Sequence, residues 1–222
     1  MSQNLPLKYG LLGVLTLLTF FFASPANAAI DGWHIKDDAT GGECTLIGNW
    51  DAGNKTCTLL QDLTQGVFPE SSGITFDGNN HTITGNGTDF YGVLITSKIG
   101  IIIKNATIEN FLYGIRIFAS RNVTLTGNTL RSNHYNFLLE PLGGTFPGFD
   151  SDDYFDHSID TSNTVDGKPI YFIKHATNQT YDASTNAGVF YCKSCTNVVI
   201  KDLSIRNNSA GVYLWKSNNS II

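Results

Sequence analysis

Residues 101–122 read IIIKNATIENFLYGIRIFASRN, and residues 123–140 read VTLTGNTLRSNHYNFLLE. Set one above the other, they place Ile101, Ile103, Ile108, Ile115 and Ile117 over Val123, Leu125, Leu130, Phe137 and Leu139. Moving the second set on by 75 residues reaches Val198, Ile200, Ile205, Val212 and Leu214. Five apolar positions that hold register through two shifts define a repeat of 22 residues. Upstream, Ile74, Phe76, Ile83, Val93 and Ile95 fit the same template, with five residues inserted around 78–87.

Inside each unit the apolar residues alternate with polar ones, as in Val123-Thr-Leu125 and Val212-Tyr-Leu214, and Gly, Asn and Ser separate the short runs. This is strand periodicity bounded by turn residues, three short strands per unit. A unit this small buries its inward side chains only by stacking on its neighbours, each strand pairing in parallel with its counterpart about 4.8 Å away. The fold expected is therefore all-β, a right-handed parallel β-helix with about 22 residues per coil. A leucine-rich repeat of similar length would need a helical segment and an L-x-x-L-x-L core, which the units lack.

Composition agrees. Gly (22), Asn (21) and Thr (23) make up about 30% of the 222 residues, a mixture that favours turns and strands over helices. Corners need residues that tolerate φ > 0, and Gly92, Gly114, Asn136 and Gly211, each just before the last strand of its unit, are expected to supply it. Charged residues are 15% of the chain and the net charge is -5, which gives no electrostatic footprint for nucleic acid.

Lys8 and the apolar run 11–22 precede Ala26-Asn27-Ala28, a small-residue cleavage site, so residues 1–28 are expected to be a secretory signal peptide. A twelve-residue run falls short of the ~20 apolar residues that a membrane span needs, so no transmembrane segment is expected after cleavage. The localisation expected is exported: periplasmic, cell-surface or extracellular. In an oxidising compartment the four cysteines read as disulfides. Cys44 and Cys57 flank a Gly/Asn-rich loop and are expected to pair. Cys192 and Cys195 have redox-motif spacing, but no thioredoxin-like pattern surrounds them, and a structural bridge is the expectation.

The register divides the chain into an N-terminal cap at 29–70 and β-helix repeats at 71–222, with a loop insertion at 141–165. A stack exposes core and strand edge at its ends, so the first segment should cover one of them. Residues 217–222 begin another coil without a C-terminal cap, and further C-terminal repeats of the same protein are expected.

The stretch 159–172 (IDTSNTVDGKPIYF), followed by 188–205 (GVFYCKSCTNVVIKDLSI), resembles the NosD-type β-helix proteins, named for a periplasmic factor in copper-centre maturation of nitrous-oxide reductase. It also resembles the broader carbohydrate-binding and sugar-hydrolase (CASH-type) β-helix repeats. The resemblance implies the β-helix fold and an exported protein. A copper role would call for a Cys/His/Met constellation, whereas this chain has one Met, in the leader, and five dispersed His.

The candidate chemistry is sparse. Asp150, Asp152, Asp153, Asp156 and Asp160 lie with His157 in one acidic loop, where carboxylates can bind Ca²⁺ or pair as acid and base on a glycan. A solvated loop without a ligand is the plainer expectation. Exposed aromatics, Tyr113 and Tyr135 above all and Tyr213 and Trp215 besides, offer platforms for sugar rings, although Tyr113 and Tyr135, one repeat apart, can instead stack on each other. Glu109 and Arg131 share one outward position in adjacent coils and are expected to form an ion pair. The function expected is an exported module that binds polysaccharide or has a structural role. The alternatives are a polysaccharide-modifying enzyme (lyase, epimerase or glycoside hydrolase type) and a NosD-like accessory in copper-enzyme maturation.

Overall fold

Three-residue strands of the form polar-apolar-polar recur, each with its central residue fully buried: Ile83, Ile108, Leu125 and Leu130 all have no exposed surface. Alternation along a strand sends one side chain in and its neighbours out, and Val, Ile and Thr favour that conformation. The structure, a computed structural model, describes residues 31–141 and 152–222; the leader and its cleavage site, like Asp150, lie outside the described residues.

The chain begins with β1 (Gly32–Ile35), a one-turn helix α1 (Cys44–Ile47) and β2 (Gly48–Asp51), and the Cys44–Cys57 disulfide ties the helix to the first coil. Seven coils follow among the described residues. They comprise β3 (Thr56–Leu59) and β4 (Gly66–Pro69); β5 (Thr75–Asp77), β6 (Thr82–Thr84) and β7 (Tyr91–Thr96); then β8 (Ile102–Lys104), β9 (Thr107–Glu109) and β10 (Tyr113–Phe118). The fourth holds β11 (Thr124–Thr126), β12 (Thr129–Arg131) and β13 (Tyr135–Glu140), and the fifth β14 (Ser158–Ile159), β15 (Thr164–Val165) and β16 (Lys168–Lys174). The last two hold β17 (Thr180–Tyr181) with β18 (Val189–Lys193), and β19 (Val199–Ile200) with β20 (Val212–Trp215).

Strands one coil apart pair in parallel. Three faces result in the first stack, ordered β1-β4-β7-β10-β13, β2-β3-β5-β8-β11-β14 and β6-β9-β12-β15. Registry is residue on residue: Val93, Ile115 and Phe137 align, as do Ile83, Ile108, Leu130 and Val165. On the outer side Thr82, Thr107, Thr129 and Thr164 form one column. The β-helix with a 22-residue repeat is thus the observed architecture.

Four expectations need correction. The span 29–70 is not all cap, because β3 pairs with β5, Leu63 bridges to Ile83 and Val67 aligns with Val93. Its apolar residues Leu59, Leu63 and Val67, 0–3% exposed, already fill a coil. The insertion is shorter than 141–165: Ser158–Ile159 and Thr164–Val165 pair with β11 and β12 as solenoid strands.

The third correction concerns φ. None of Gly92, Gly114, Gly211 and Asn136 has a positive value. The left-handed corners lie elsewhere and recur at the repeat spacing, as Ser97 and Ala119, Gly100 and Asn122, Asn105 and Gly127, and Asn110 and Ser132. Gly114 is small for want of room: a Cβ there would stand 2.6 Å from Asn136 O and 2.7 Å from Asn133 Nδ2.

The fourth is that the coils do not form one continuous stack. Val165 and Lys168 pair across Asp166 and Gly167, whose φ values are 48° and 79°. Two successive left-handed residues make the tight turn of a hairpin, so β16 runs back antiparallel to β15 and does not continue the face that ends in β13. A second stack starts there, with β16, β18 and β20 side by side. Its outward side is buried against the open end of the first. Val189 and Tyr191 belong to the first core, while Phe190 and Cys192, their neighbours in the same strand, belong to the second. The Cys192–Cys195 disulfide closes a corner of that second core, with both residues at 0–1% exposure.

Candidate functional site

Among the described residues the carboxylates of the acidic segment do not gather into one cluster. Asp152 Oδ1 accepts a hydrogen bond from Trp215 Nε1 (3.0 Å), and its Oδ2 pairs with Lys216 Nζ (2.6 Å). Asp153 faces Arg121 at 3.6 Å, and Asp156 pairs with Lys174 at 2.5 Å. Asp160 accepts from the hydroxyls of Thr126 (2.9 Å) and Ser162. Hydrogen bonds from Lys216 and Trp215 hold the Asp152 carboxyl below the usual range, and the Lys174 ammonium does the same for Asp156. At Asp160 burial works the other way, but the hydroxyl bonds prevail and its carboxyl too is lowered. A glycosidic general acid needs the opposite shift. Among the described residues no three His, Cys, Asp or Glu side chains come together to hold a metal ion.

His157, expected in a solvated loop, is instead 1% exposed. Its Nδ1 accepts from the Val123 backbone N–H (3.2 Å) and its Nε2 donates to Tyr154 O (2.9 Å). Burial pushes its pKa down to about 4; the bond to Tyr154 O opposes the shift, and the Lys174 charge adds to it. The residue is a neutral plug in the junction, put there because the chain must return from the insertion into the core at β14.

The aromatics divide in the same way. Tyr213 and Trp215, expected as exposed platforms, stack on Phe155 with centroids 5.2 and 4.7 Å away, so they close the seam between the stacks. Tyr113 sits between Tyr91 and Tyr135 in a column with centroid spacings of 5.7 and 5.2 Å. The Arg116 guanidinium lies 5.5 Å from the Tyr91 ring and 5.8 Å from the Tyr113 ring, and bonds Tyr91 Oη and Glu140 Oε2 at 2.7 and 2.6 Å. The faces of Tyr113 are therefore used within the column, and Tyr135 stands at its end. Glu109 and Arg131 form the expected ion pair, at 2.7 Å.

Tyr135 opens onto a groove of about 580 Å³ where a corner of the first stack meets the last coil of the second, lined also by Asn110, Ser132, His134, Asn207 and Asn208. His134 packs edge-on against Tyr135 at 4.4 Å. Asn207 pins the two stacks together: its carbonyl accepts from the Asn136 N–H at 2.7 Å. The amides of Asn207 and Asn136 both donate to Asp166 Oδ2, at 2.9 and 3.1 Å. A smaller recess of about 260 Å³ adjoins at Asn207 and carries Asp166, Lys168 and Arg206. Amide and hydroxyl side chains beside the Tyr135 and Phe111 rings suit a hydroxyl-rich ligand.

Of the expected site residues, the groove takes only Tyr135. The sequence-based reading did not reach Asn110, Asn207 and Asn208, because their convergence depends on the change of stack. The Asp166-Gly167 dipeptide, a hairpin signal, was the only local indication of that change.

Among the described residues no helix is long and apolar enough to cross a membrane. Comparison with curated proteins finds no match, and comparison with solved structures finds none either. Residues 37–222 match the family described as "right handed beta helix region". With most of its length in that match and parallel pairing of strands from coil to coil among the described residues, the chain belongs to the right-handed β-helix family.

Proposed function

We propose that this chain is an exported β-helix module that binds polysaccharide in the groove between its two stacks. One observation carries the reading: the half-buried ring of Tyr135 stands at the end of the tyrosine column and forms one wall of a groove whose other walls are mainly Asn and Ser side chains. A sugar ring offers an apolar face to the aromatic and hydroxyls to the amides. The groove is open, as a site for a long polymer has to be. Export is part of the proposal, supported by the leader-like residues 1–28 and by the two disulfides.

The test is a glycan array probed with the full chain, followed by titration of any retained oligosaccharide against the wild type and Tyr135→Ala. The expected result is retention of at least one glycan and an affinity loss of about three- to tenfold in the variant, the worth of one aromatic contact. An array without retained glycans, or a variant that binds as well as the wild type, overturns the proposal.

A further inference from the structure

The sequence holds four arginines, and three of them are paired: Arg116 with Glu140 at 2.6 Å, Arg121 with Asp153 at 3.6 Å and Arg131 with Glu109 at 2.7 Å. The fourth, Arg206, makes no ion pair or side-chain hydrogen bond among the described residues. It follows Arg131 by 75 positions and so holds the same place in the repeat, but it lies in the second stack, where no carboxylate pairs with it. Acidic residues outnumber basic ones 19 to 14, so an arginine left without a partner is an exception.

Its setting is the recess of about 260 Å³ beside the Tyr135 groove, and Lys168 lines the same recess. Lys168 Nζ donates to Ser204 O at 2.7 Å, which holds the ammonium in place and leaves two of its N–H groups for a ligand. The one carboxylate of the recess, Asp166, accepts from the Asn207 and Asn136 amides at 2.9 and 3.1 Å and from the Ser132 N–H at 3.4 Å. Two cations against one carboxylate give the recess a net positive charge, whereas no Asp, Glu, Lys or Arg lines the groove itself. Asn207 borders both, so a chain seated on Tyr135 can run over Asn207 into the recess. We propose that the polysaccharide is anionic: Arg206 and Lys168 bind the carboxylate or sulfate of the unit that enters the recess, while Tyr135 holds another ring of the same chain. A guanidinium offers a planar pair of donors that matches either group. The inference rests on the glycan-binding reading above and narrows its ligand class.

The experiment titrates the full chain with two pairs of oligosaccharides, a hexuronic acid oligomer against its carboxyl-reduced form and a sulfated hexose oligomer against its desulfated form. In at least one pair the acidic member should bind about tenfold more tightly at low ionic strength, the worth of one charge-assisted hydrogen bond. The pair that shows the gain identifies carboxylate or sulfate as the group. The gain should shrink as salt is raised toward 1 M, where charges are screened beyond about 3 Å. Arg206→Ala keeps the backbone carbonyl that accepts from Asn208 Nδ2. It should remove most of the gain and leave the neutral members within about twofold, because they make no charged contact in the recess. Acidic members that bind no tighter than neutral ones in both pairs, or a gain that survives in Arg206→Ala, overturn this inference and leave glycan binding standing. Retention of neutral glycans alone on the array counts in the same way. No binding of any of the four oligomers, with an array that retains nothing, overturns glycan binding itself and this inference with it.

Discussion

The indole of Trp215 lies flat on the ring of Phe155, with centroids 4.7 Å apart and planes 6° from parallel. Sixty positions separate them, so the contact ties the return of the insertion to the last strand of the second stack. Phe155 also stacks on Tyr213 and is 1% exposed, which makes it the filler of the seam. Truncating a buried phenyl costs about 3–5 kcal/mol. Phe155→Ala should therefore lower the unfolding midpoint by about 10 °C at 2–4 °C per kcal/mol, and should change the tryptophan emission as Trp215 loses its cover. A midpoint within a degree or two of wild type would mean that the two stacks do not depend on this seam.

Gly114 and Gly73 separate the two reasons for glycine. At Gly114 an added Cβ would come within 2.6 Å of the Asn136 carbonyl and 3.0 Å of Leu130 Cδ2, with no unusual φ. At Gly73 φ is 76° and nothing lies within 4 Å of the Cβ position. Gly114→Ala is an overpacking change, expected to cost about 1–3 kcal/mol. Gly73→Ala pays for handedness, about 1 kcal/mol, and Gly73→Asn should recover most of that. Urea titration of the three variants distinguishes the cases; equal losses at both sites would refute the steric account of Gly114.

The repeat was legible because its inward residues are chemically alike and evenly spaced: Ile108, Leu130 and Val165 are large, apolar and stacked in register. The break in the stack was not. It rests on two residues, Asp166 and Gly167, whose turn reverses one strand, and the apolar pattern resumes on either side. Residues Val212 and Leu214 keep the repeat template although their strand lies in a different stack from β13. Register describes how a coil buries its own residues, and says little about which coil stacks on which. The groove was hidden for the same reason, since Asn207 meets Asn136 only across that break. Tyr135 was legible as an aromatic one repeat from Tyr113, but its place at the end of the column was not.

Asn128 and Asn163 form a rung of a buried amide ladder, both with no exposed surface. Asn128 Oδ1 accepts from the Ala106 N–H at 3.1 Å, while its Nδ2 donates to Ile103 O and Asn163 Oδ1, each at 2.9 Å. The amide thus satisfies the Ala106 N–H in the corner of the preceding coil and adds a bond to the carbonyl of Ile103 in β8. Asn128→Ala leaves the Ala106 N–H buried and unmatched, which costs about 1–3 kcal/mol, and removes the bonds to Ile103 O and Asn163 besides. A loss of about 2–5 kcal/mol in denaturant titration is expected. Asn128→Asp should do little better, because a carboxylate accepts from Ala106 but cannot donate to Ile103 O. A neutral Asn128→Ala would show that the ladder is incidental.

His157 gives the chain a predictable acid limb. Its folded pKa is about 4, against an ordinary value of 6.5, because burial disfavours the cation. Protonation would also set an N–H of the ring against the Val123 N–H that it now accepts from. The unfolded state therefore binds the extra proton first, and stability falls as pH drops from about 6.5 to about 4, then levels for this group. The full effect is about 3 kcal/mol at 1.4 kcal/mol per pH unit. Asp152, Asp156 and Asp160 have lowered pKa values and lose their share only below that window. In His157→Gln the amide can accept from Val123 and donate to Tyr154 without titrating. Denaturant titrations from pH 7 to pH 4 should show a steeper decline for the wild type than for the variant, with the difference confined to that interval. Parallel curves would mean that His157 is not the group that takes up the proton.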